Sequence, residues 1–525
     1  MRAKGLTAGA LATCALLGLT YTLAQIEVVS FFPLDVAQAG IRLTPGAIAS
    51  QGIEALGAGA KMLAEASALL LVLLIGAAAG GVALRFELQR AWSNVLPLAA
   101  VAFALVAVAQ LVAGTLSDAI SLGVTAVLLV GWAAVLLGVL RLTTSTSARS
   151  AGPASPGRRN LLRLSATVLL AVAAGGGVIG ELLRRSQETA LAQAIARGDP
   201  VPGVSLGAVA SAASAFPVPD PGFQPGLGMR PEATPPPALY VVSSEVRSPN
   251  VQVADWRLTF GGLVNTPLTL TYADLRSMDP VNQPSTLTCI SNEVGGGLTG
   301  TGVWTGVPLR TLLDAAGVTG GASTIVLRSV TGYADAIPLE RGLDPRTLVA
   351  YGFGGEALPR EHGFPARLIV PGLYGMKNIK WLSGIDVVAQ DFRGYWENRG
   401  WDPSADVRTQ STTDTGNQSL GNANSVRSTN GLVELGGYAF AGIRGISRVE
   451  LNIDSAGWQP VQLKEPESDI IWRPWRFAWR ATPGEHVVVV RAIDGQGVVQ
   501  SAESLPPHPS GASGWHTLDK LRVDG

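Results

Sequence analysis

The first part of the chain alternates long apolar runs with short polar breaks, and near Leu183 the pattern changes. Five windows carry enough apolar residues to cross a bilayer core as a helix, which takes about 20. They are Leu6–Gln25, Ala66–Leu84, Val95–Leu116, Ala119–Leu140 and Leu164–Leu183. A segment rich in Pro, Gly, Ala and Ser follows, including Pro217-Val218-Pro219-Asp220-Pro221 and Pro235-Pro236-Pro237, and predicts a semi-extended tether. Beyond it the period shortens. Trp256–Phe260, Leu268–Tyr272, Thr324–Val330, Arg367–Pro371 and Ile385–Val388 predict strands; Tyr272–Ser277 and Leu309–Ala316 predict short helices, the second stopped by Gly317. Residues 404–430 are polar and predict a linker. Val433–Tyr438, Ser447–Ile453, Phe477–Ala481 and His486–Ala492 then predict a small all-β sandwich. The expected organisation is a multi-domain chain: a five-helix transmembrane unit (1–184), a Pro-rich linker (185–238), an α+β domain (239–403), a linker (404–430) and a β-sandwich (431–525).

Charge refines the membrane reading. Basic residues precede the first window (Arg2, Lys4), separate the second from the third (Arg85, Arg90), and separate the fourth from the fifth (Arg141, Arg149, Arg158, Arg159, Arg163). Loops rich in Lys and Arg stay in the cytoplasm. Five crossings from a cytoplasmic start keep all three groups inside. They put the segment 26–65, with Glu27, Asp35, Glu54 and Glu65, outside together with everything after Arg184. The stretch Gly157-Arg158-Arg159-Asn160-Leu161-Leu162-Arg163 reads either as ordinary cytoplasmic charge or as a twin-arginine export signal. Over the whole chain 39 basic residues balance 39 acidic ones, so nothing points to nucleic acid. The four histidines, His362, His486, His508 and His516, all lie in the second half. The helices therefore cannot ligate a haem by themselves. Their small residues (Gly76, Ala77, Ala78, Ala79, Gly80, Gly81) suit close helix packing.

Of the two cysteines, Cys14 falls in the first apolar window and Cys289 ends a β-type run that opens onto a polar, Gly-rich loop. An unpaired thiol in an oxidising compartment is a liability unless it is buried as an inert core residue or ligated. The loop Gly295-Gly296-Gly297-Leu298-Thr299-Gly300 formally matches a dinucleotide-binding pattern. It lacks the strand–turn–helix setting and the later acid that would make a nicotinamide-dependent dehydrogenase credible.

Three blocks resemble the sulfite oxidase family of molybdopterin-dependent oxidoreductases. The first is Ser285 to Glu293, in which Cys289, Ser291 and Asn292 match the molybdenum-ligand segment. The second is Leu358-Pro359-Arg360-Glu361-His362-Gly363-Phe364-Pro365-Ala366-Arg367, with Val370-Pro371-Gly372 after it. The third is Gly375-Met376-Lys377-Asn378-Ile379-Lys380-Trp381-Leu382. The Trp-rich run Trp472 to Trp479 resembles the family's immunoglobulin-like tail, and with it comes the expectation of a homodimer formed through residues 431–525. The resemblance implies a molybdenum–pterin dithiolene cofactor with Cys289 as the metal ligand. His362, Arg367 and Lys380, with the backbone at Asn378 and Ile379, would serve its phosphate and pterin edge. Ser243, Ser244 and Glu245 would open the first cofactor loop, beside Asn292. A thiolate suits such a soft, sulfur-ligated metal.

The chain departs from the family where the substrate anion is held. Ser243 stands where the family has an arginine and Trp401 where it has a tyrosine; Trp401 is the expected catalytic side chain, and Arg247 and Arg399 are candidate substitutes for the missing cation. No haem or flavin is expected in this chain, so electrons pass to or from a separate cytochrome or quinone-linked carrier. The expected reaction is oxygen-atom transfer on a small sulfite-like, S-oxide or N-oxide substrate. A methionine-sulfoxide-type reductase served by a membrane haem partner and a non-catalytic membrane receptor are the alternatives.

Overall fold

The computed structural model describes residues 2–26, 28–44, 48, 59–113, 119–144, 156–197, 216–226 and 228–524. Glu27, Glu54, Asp118, Arg149, the end of the third apolar window and linker residues 198–215 lie outside them, as do the side chains of Arg158 and Arg159. Contacts divide the chain into two units. One comprises Met1–Val201 with Glu245–Arg247, the other Pro202–Ser244 with Ser248–Gly525.

In the first unit the helices are α1 (Arg2–Gln25), α2 (Phe32–Leu43), α3 (Gly59–Arg85), α4 (Val95–Ala113), α5 (Ala119–Thr144) and α6 (Pro156–Arg197). All but α2 contain a span long and apolar enough to cross a membrane: Ala3–Gln25, Lys61–Arg85, Trp92–Ala113, Ala119–Leu142 and Arg163–Leu183. The small residues serve packing within this unit. A Cβ on Gly9 would come 2.1 Å from the Gly76 carbonyl, so α1 and α3 touch backbone to backbone. The short helix α2 was not expected. It is amphipathic, and Asp35 accepts a hydrogen bond from Ser30 Oγ (2.6 Å) while Gln110 Nε2 also donates to Ser30 Oγ (2.5 Å). At 12 residues it is too short to register as an apolar window.

The second unit begins with an extended segment, then runs β1 (Leu258–Gly262), β2 (Leu268–Leu270), α7 (Tyr272–Ser277), β3 (Val281–Thr288), β4 (Thr299–Pro308), α8 (Leu309–Ala316), β5 (Thr324–Ser329), β6 (Ala334–Pro338), α9 (Leu339–Leu343), β7 (Leu348–Phe353), β8 (Glu356–Ala357), β9 (Arg367–Ile369) and β10 (Leu382–Val388). One sheet has the order β2-β1-β10-β5-β6, with β1 parallel to β10. The other has the order β3-β4-β7-β8, with β9 on β7. Both expected helices form for the expected reasons. Thr271 and Asp274 make a reciprocal capping box on α7, and Gly317 closes α8 at φ +69°. Strand β4 is Gly-rich and was not expected. Gly302 leaves room for the Phe353 ring, which stacks on Trp304 at 4.3 Å, and a Cβ there would lie 1.9 Å from that ring.

Two further sheets follow, built from β11 (Gln410–Thr413), β12 (Ser425–Arg427), β13 (Leu432–Phe440), β14 (Ile446–Ile453), β15 (Gln459–Pro460), β16 (Gln462–Leu463), β17 (Arg473–Arg480), β18 (Gly484–Asp494) and β19 (His516–Asp524). Their orders are β11-β13-β17-β16 and β12-β19-β18-β14-β15. Val433, Leu435 and Trp475 from one sheet meet Val449, Val490 and Leu521 from the other in a shared core. The expected linker 404–430 thus supplies a strand to each sheet, β11 beside β13 and β12 beside β19. The described end of the Pro-rich segment is also bound rather than free. Arg230 chelates Asp414 (2.9 Å), Lys464 holds Glu232 (2.8 Å), and Thr234 pairs through its backbone with Thr301 (2.7 Å).

Candidate functional site

The site grows from the end of β3. Its last four residues are buried, and Cys289 follows at 7% exposure. The Cys289 N–H donates to the Leu298 carbonyl (2.9 Å), which folds the intervening loop back on itself. Asn292 sets that loop's shape, its Oδ1 accepting the Leu298 N–H at 2.7 Å. The glycines 295–297 therefore sit in the connection of an antiparallel hairpin between β3 and β4, not ahead of a helix. That geometry removes the dinucleotide reading.

The thiol is not packed among aliphatic side chains alone. Cys289 Sγ lies 3.0 Å from Ser291 Oγ. Burial pushes the thiol pKa up, and the Ser291 hydroxyl, nearby N–H groups and the Lys380 charge pull it back down. Opposite stands the turn Gly375–Lys377. A Cβ on Gly375 would lie 2.8 Å from Tyr240 Oη and 3.8 Å from Cys289 Cα, so a glycine lets these three approach. Tyr240 was not expected here, since nothing in an extended segment marks a single tyrosine as functional.

Arg367 opens β9 and is 5% exposed. Its Nη1 donates to the His362 carbonyl (3.0 Å) and its Nη2 to the Asn378 carbonyl (3.0 Å). Nε has no hydrogen-bond partner, and among the described residues no carboxylate pairs with the guanidinium. Burial pushes its pKa down to about 10. His362 is buried and neutral: its Nε2 faces the Pro236 carbonyl (3.0 Å), and burial, then the Arg367 charge, push it down to about 4. Of the expected cations, then, Arg367 keeps its charge at neutral pH and His362 does not in this form. Lys380 donates to the Glu361 carbonyl (3.0 Å) and lies over the Trp381 ring.

Asn378 is occupied on every side. Its Oδ1 accepts from Val370 N–H (2.7 Å), its Nδ2 donates to the Leu373 and Tyr374 carbonyls, and its own N–H donates to the Gly375 carbonyl. It holds the wall in place, and the Ile379 carbonyl does likewise for Leu368 N–H (2.8 Å). Glu245, expected at the start of the cofactor loop, is buried. It groups with the helical unit, its carboxylate 3.8 Å from Arg42 and its carbonyl accepting from Lys61 Nζ. Arg247 groups there too, while Ser243 and Ser244 stay with the second unit. Arg399 stacks on the Tyr395 ring at 3.6 Å. Trp401 is 4% exposed and packs with Ile290, Tyr374 and Met376, edge-on to His508 at 5.0 Å. Its Nε1–H has no partner.

These residues fit a pterin-bound metal. A buried guanidinium with no carboxylate and an unused Nε–H calls for an anion such as a phosphate. Among the described residues no three His, Cys, Asp or Glu side chains gather as a metal cage, so a metal at Cys289 needs its other ligands from a cofactor. Fold and site together define an oxidoreductase with a molybdopterin-binding domain. The sequence comparisons agree: residues 245–396 match the Oxidoreductase molybdopterin binding domain family. The chain is 33% identical over 146 residues to the uncharacterized oxidoreductase YuiH of Bacillus subtilis, covering 28% of this chain and 72% of that one. It is 27% identical over 312 residues to mouse mitochondrial sulfite oxidase, covering 51% and 57%, and 30% identical over 248 residues to Arabidopsis thaliana sulfite oxidase, covering 38% and 62%. It therefore spans less than two thirds of either sulfite oxidase. The chain belongs to the sulfite oxidase family of molybdopterin-dependent oxidoreductases.

Proposed function

We propose that this chain transfers an oxygen atom between water and a small sulfur-containing substrate at a molybdenum–pterin centre ligated by Cys289. The observation that carries the reading is the buried Cys289 thiol, which feels the Lys380 charge, together with the buried Arg367 guanidinium, whose Nε has no hydrogen-bond partner. When bound, the cofactor supplies two-electron oxygen-atom transfer. The chain's own residues do the rest. Cys289 gives its proton up to become a thiolate ligand, with the Ser291 hydroxyl placed to donate to Sγ. Arg367 and Lys380 hold the phosphate and pterin edge, and Tyr240 and Tyr374 close the wall against water. Metal analysis of the full chain tests this. Near-stoichiometric molybdenum that disappears in Cys289→Ser supports an enzyme; a metal-free wild-type protein would make it a receptor that keeps only the fold.

Trp401 favours a second reading of the substrate. A buried indole N–H is a neutral donor, and it matches the oxygen of an uncharged sulfoxide better than a sulfur dianion, which calls for a cation and a phenol. Sulfoxide reduction is that second reading. A molybdenum electron-resonance titration separates the two, because sulfite reduces the centre in the first case and methionine sulfoxide reoxidises it in the second.

The charge pattern supports a catalytic half outside the cytoplasm, anchored by five crossings and served by a separate cytochrome or quinone-linked carrier. The tail is read as the family's immunoglobulin-like domain, with a homodimer as its consequence, checked by light scattering. If Arg158 and Arg159 act as an export signal, changing both to Lys strands the second unit inside, and normal export of that variant removes the idea.

A further inference from the structure

Behind the cofactor wall lies a group of charges that the proposed chemistry has not used. Lys377, the last residue of the Gly375–Lys377 turn, is fully buried with two carboxylates. Its Nζ is 2.7 Å from Asp335 Oδ1 and in direct contact with Glu397 Oε1. Asp335 Oδ1 also accepts from Ala336 N–H (2.8 Å), and Glu397 Oε2 accepts from Gly394 N–H (2.6 Å). One ammonium against two carboxylates leaves a net buried negative charge, which is costly without compensation.

The hydrogen-bond count says how it is compensated. Tyr333 Oη stands 3.1 Å from Asp335 Oδ2 and 3.0 Å from the Met376 carbonyl, yet a phenol has one hydrogen for these two acceptors. A proton on Asp335 Oδ2 resolves this. The carboxyl then donates to Tyr333 Oη, Tyr333 donates to Met376, and both oxygens of Tyr333 and Asp335 are satisfied. The other groups facing Asp335 are Lys377 and Glu397, with Tyr395 beyond Tyr333 (5.8 Å between rings) and Arg399 stacked on Tyr395. Burial, reinforced by Glu397 and opposed by Lys377, pushes the Asp335 carboxyl up to about 7, within reach of ordinary pH changes.

The same short turn presents Gly375 to Cys289 and Lys377 to this pair of acids. We propose that Asp335, Lys377 and Glu397 together hold one proton behind the cofactor wall, taken up when the redox site is reduced and released when it is reoxidised. The inference rests on the proposed oxygen-atom transfer. There, substrate and water give oxygenated substrate, two protons and two electrons. The electrons leave singly to a one-electron carrier protein; Asp335 keeps one proton of the pair until they do, and the other goes to water. Asp335 touches neither substrate nor cofactor, so it is a positioning residue for the proton.

The test uses full-length holoenzyme with its molybdenum content measured on the same sample. The reduced-minus-oxidised infrared difference spectrum is expected to gain a protonated-carboxyl band near pH 7, lost in Asp335→Asn and shifted in Tyr333→Phe, which keeps every charge. The midpoint potential is expected to lose part of its pH dependence in Asp335→Asn. A purely structural triad would lower yield or stability in the variants and leave both readouts alone. A molybdenum-loaded wild type with no carboxyl change on reduction overturns the proton store, whether or not any variant folds. A wild type that binds no molybdenum overturns the functional reading instead.

Discussion

Arg367→Met isolates the anion-binding half of the site. A guanidinium that burial pushes down from its ordinary value to about 10 is less favourable in the folded protein by about 3 kcal/mol at neutral pH. The sign follows from the direction: the folded base is depressed, so the penalty is present below about pH 10 and fades as pH rises through the unfolded value. A phosphate beside the guanidinium removes that penalty. At about 1.4 kcal/mol per tenfold, the charge is worth roughly a hundredfold in cofactor retention. Methionine keeps the stem against Trp304, whose ring centre is 5.0 Å from the guanidinium carbon, but loses the bonds to the His362 and Asn378 carbonyls. Hydrogen bonds from a charged group are worth about 1.5–3 kcal/mol each, so against the penalty relieved the cofactor-free protein should lose no more than about 3 kcal/mol. Pterin fluorescence and molybdenum content after serial dilution measure retention; urea unfolding of the cofactor-free chain measures stability. Wild-type retention in the variant would refute the argument, and so would a cofactor-free protein weakened by more than about 4 kcal/mol, because the guanidinium would then be a structural strut.

Trp401→Phe removes a buried donor that has no partner, so stability should hold or rise by up to about 1 kcal/mol while KM for the sulfur substrate rises about tenfold; an unchanged KM means the indole N–H faces no substrate. Acid should weaken the second unit. Burial pushes His362 and His516 down to about 4, so each contributes stability that is full above about pH 6.5 and falls by about 3 kcal/mol as pH drops to about 4. His516→Asn keeps an acceptor for Thr413 N–H and should flatten that slope in urea titrations; an unaltered slope would locate the effect elsewhere. A chain ending after Pro403 should fail to hold molybdenum, because Asn417 Nδ2 anchors the Gly295 carbonyl (2.8 Å) and Trp472 N–H bonds Thr286 Oγ1 (2.8 Å) at the foot of the Cys289 loop. Full metal content in that fragment would show the loop to be self-supporting.

Local signals explain what could be read in advance. Helix α8 shows its apolar stripe through Leu309, Leu312, Leu313 and Ala316 and its stop at Gly317, and the five helices long and apolar enough to cross a membrane announce themselves by length and composition. Cys289 was visible because a lone thiol at a strand end sits in a block with Ser291 and Asn292. What stayed hidden depends on partners far along the chain. Arg230 reads as one more charge in a Pro-rich stretch until Asp414, 184 residues later, is set against it. Lys377 looks like any basic neighbour of Lys380, and only the fold brings Asp335 and Glu397 to it. Strand β4 was masked by glycines that weaken β-propensity, of which Gly302 is required by the Phe353 ring and Gly306 by the Val349 carbonyl.

The block from Gly375 to Lys380 gains a physical meaning from this geometry. Each position in one tight turn faces a different neighbour, so its residues are not interchangeable. Gly375 admits Tyr240 and the Cys289 backbone, and any side chain there would separate them. The Met376 carbonyl takes the Tyr333 hydrogen, which frees Asp335 to hold its proton. Lys377 reaches into the acids; a shorter or neutral side chain would leave two buried carboxylates facing each other. Asn378 ties the turn to Val370, Leu373 and Tyr374 and gives its carbonyl to Arg367. Lys380 sends its charge back toward the thiol. Cys289, Arg367 and the two buried acids therefore all meet one short piece of backbone. A shift of that turn by a fraction of an ångström is felt by all three, because a close-packed interior transmits strain.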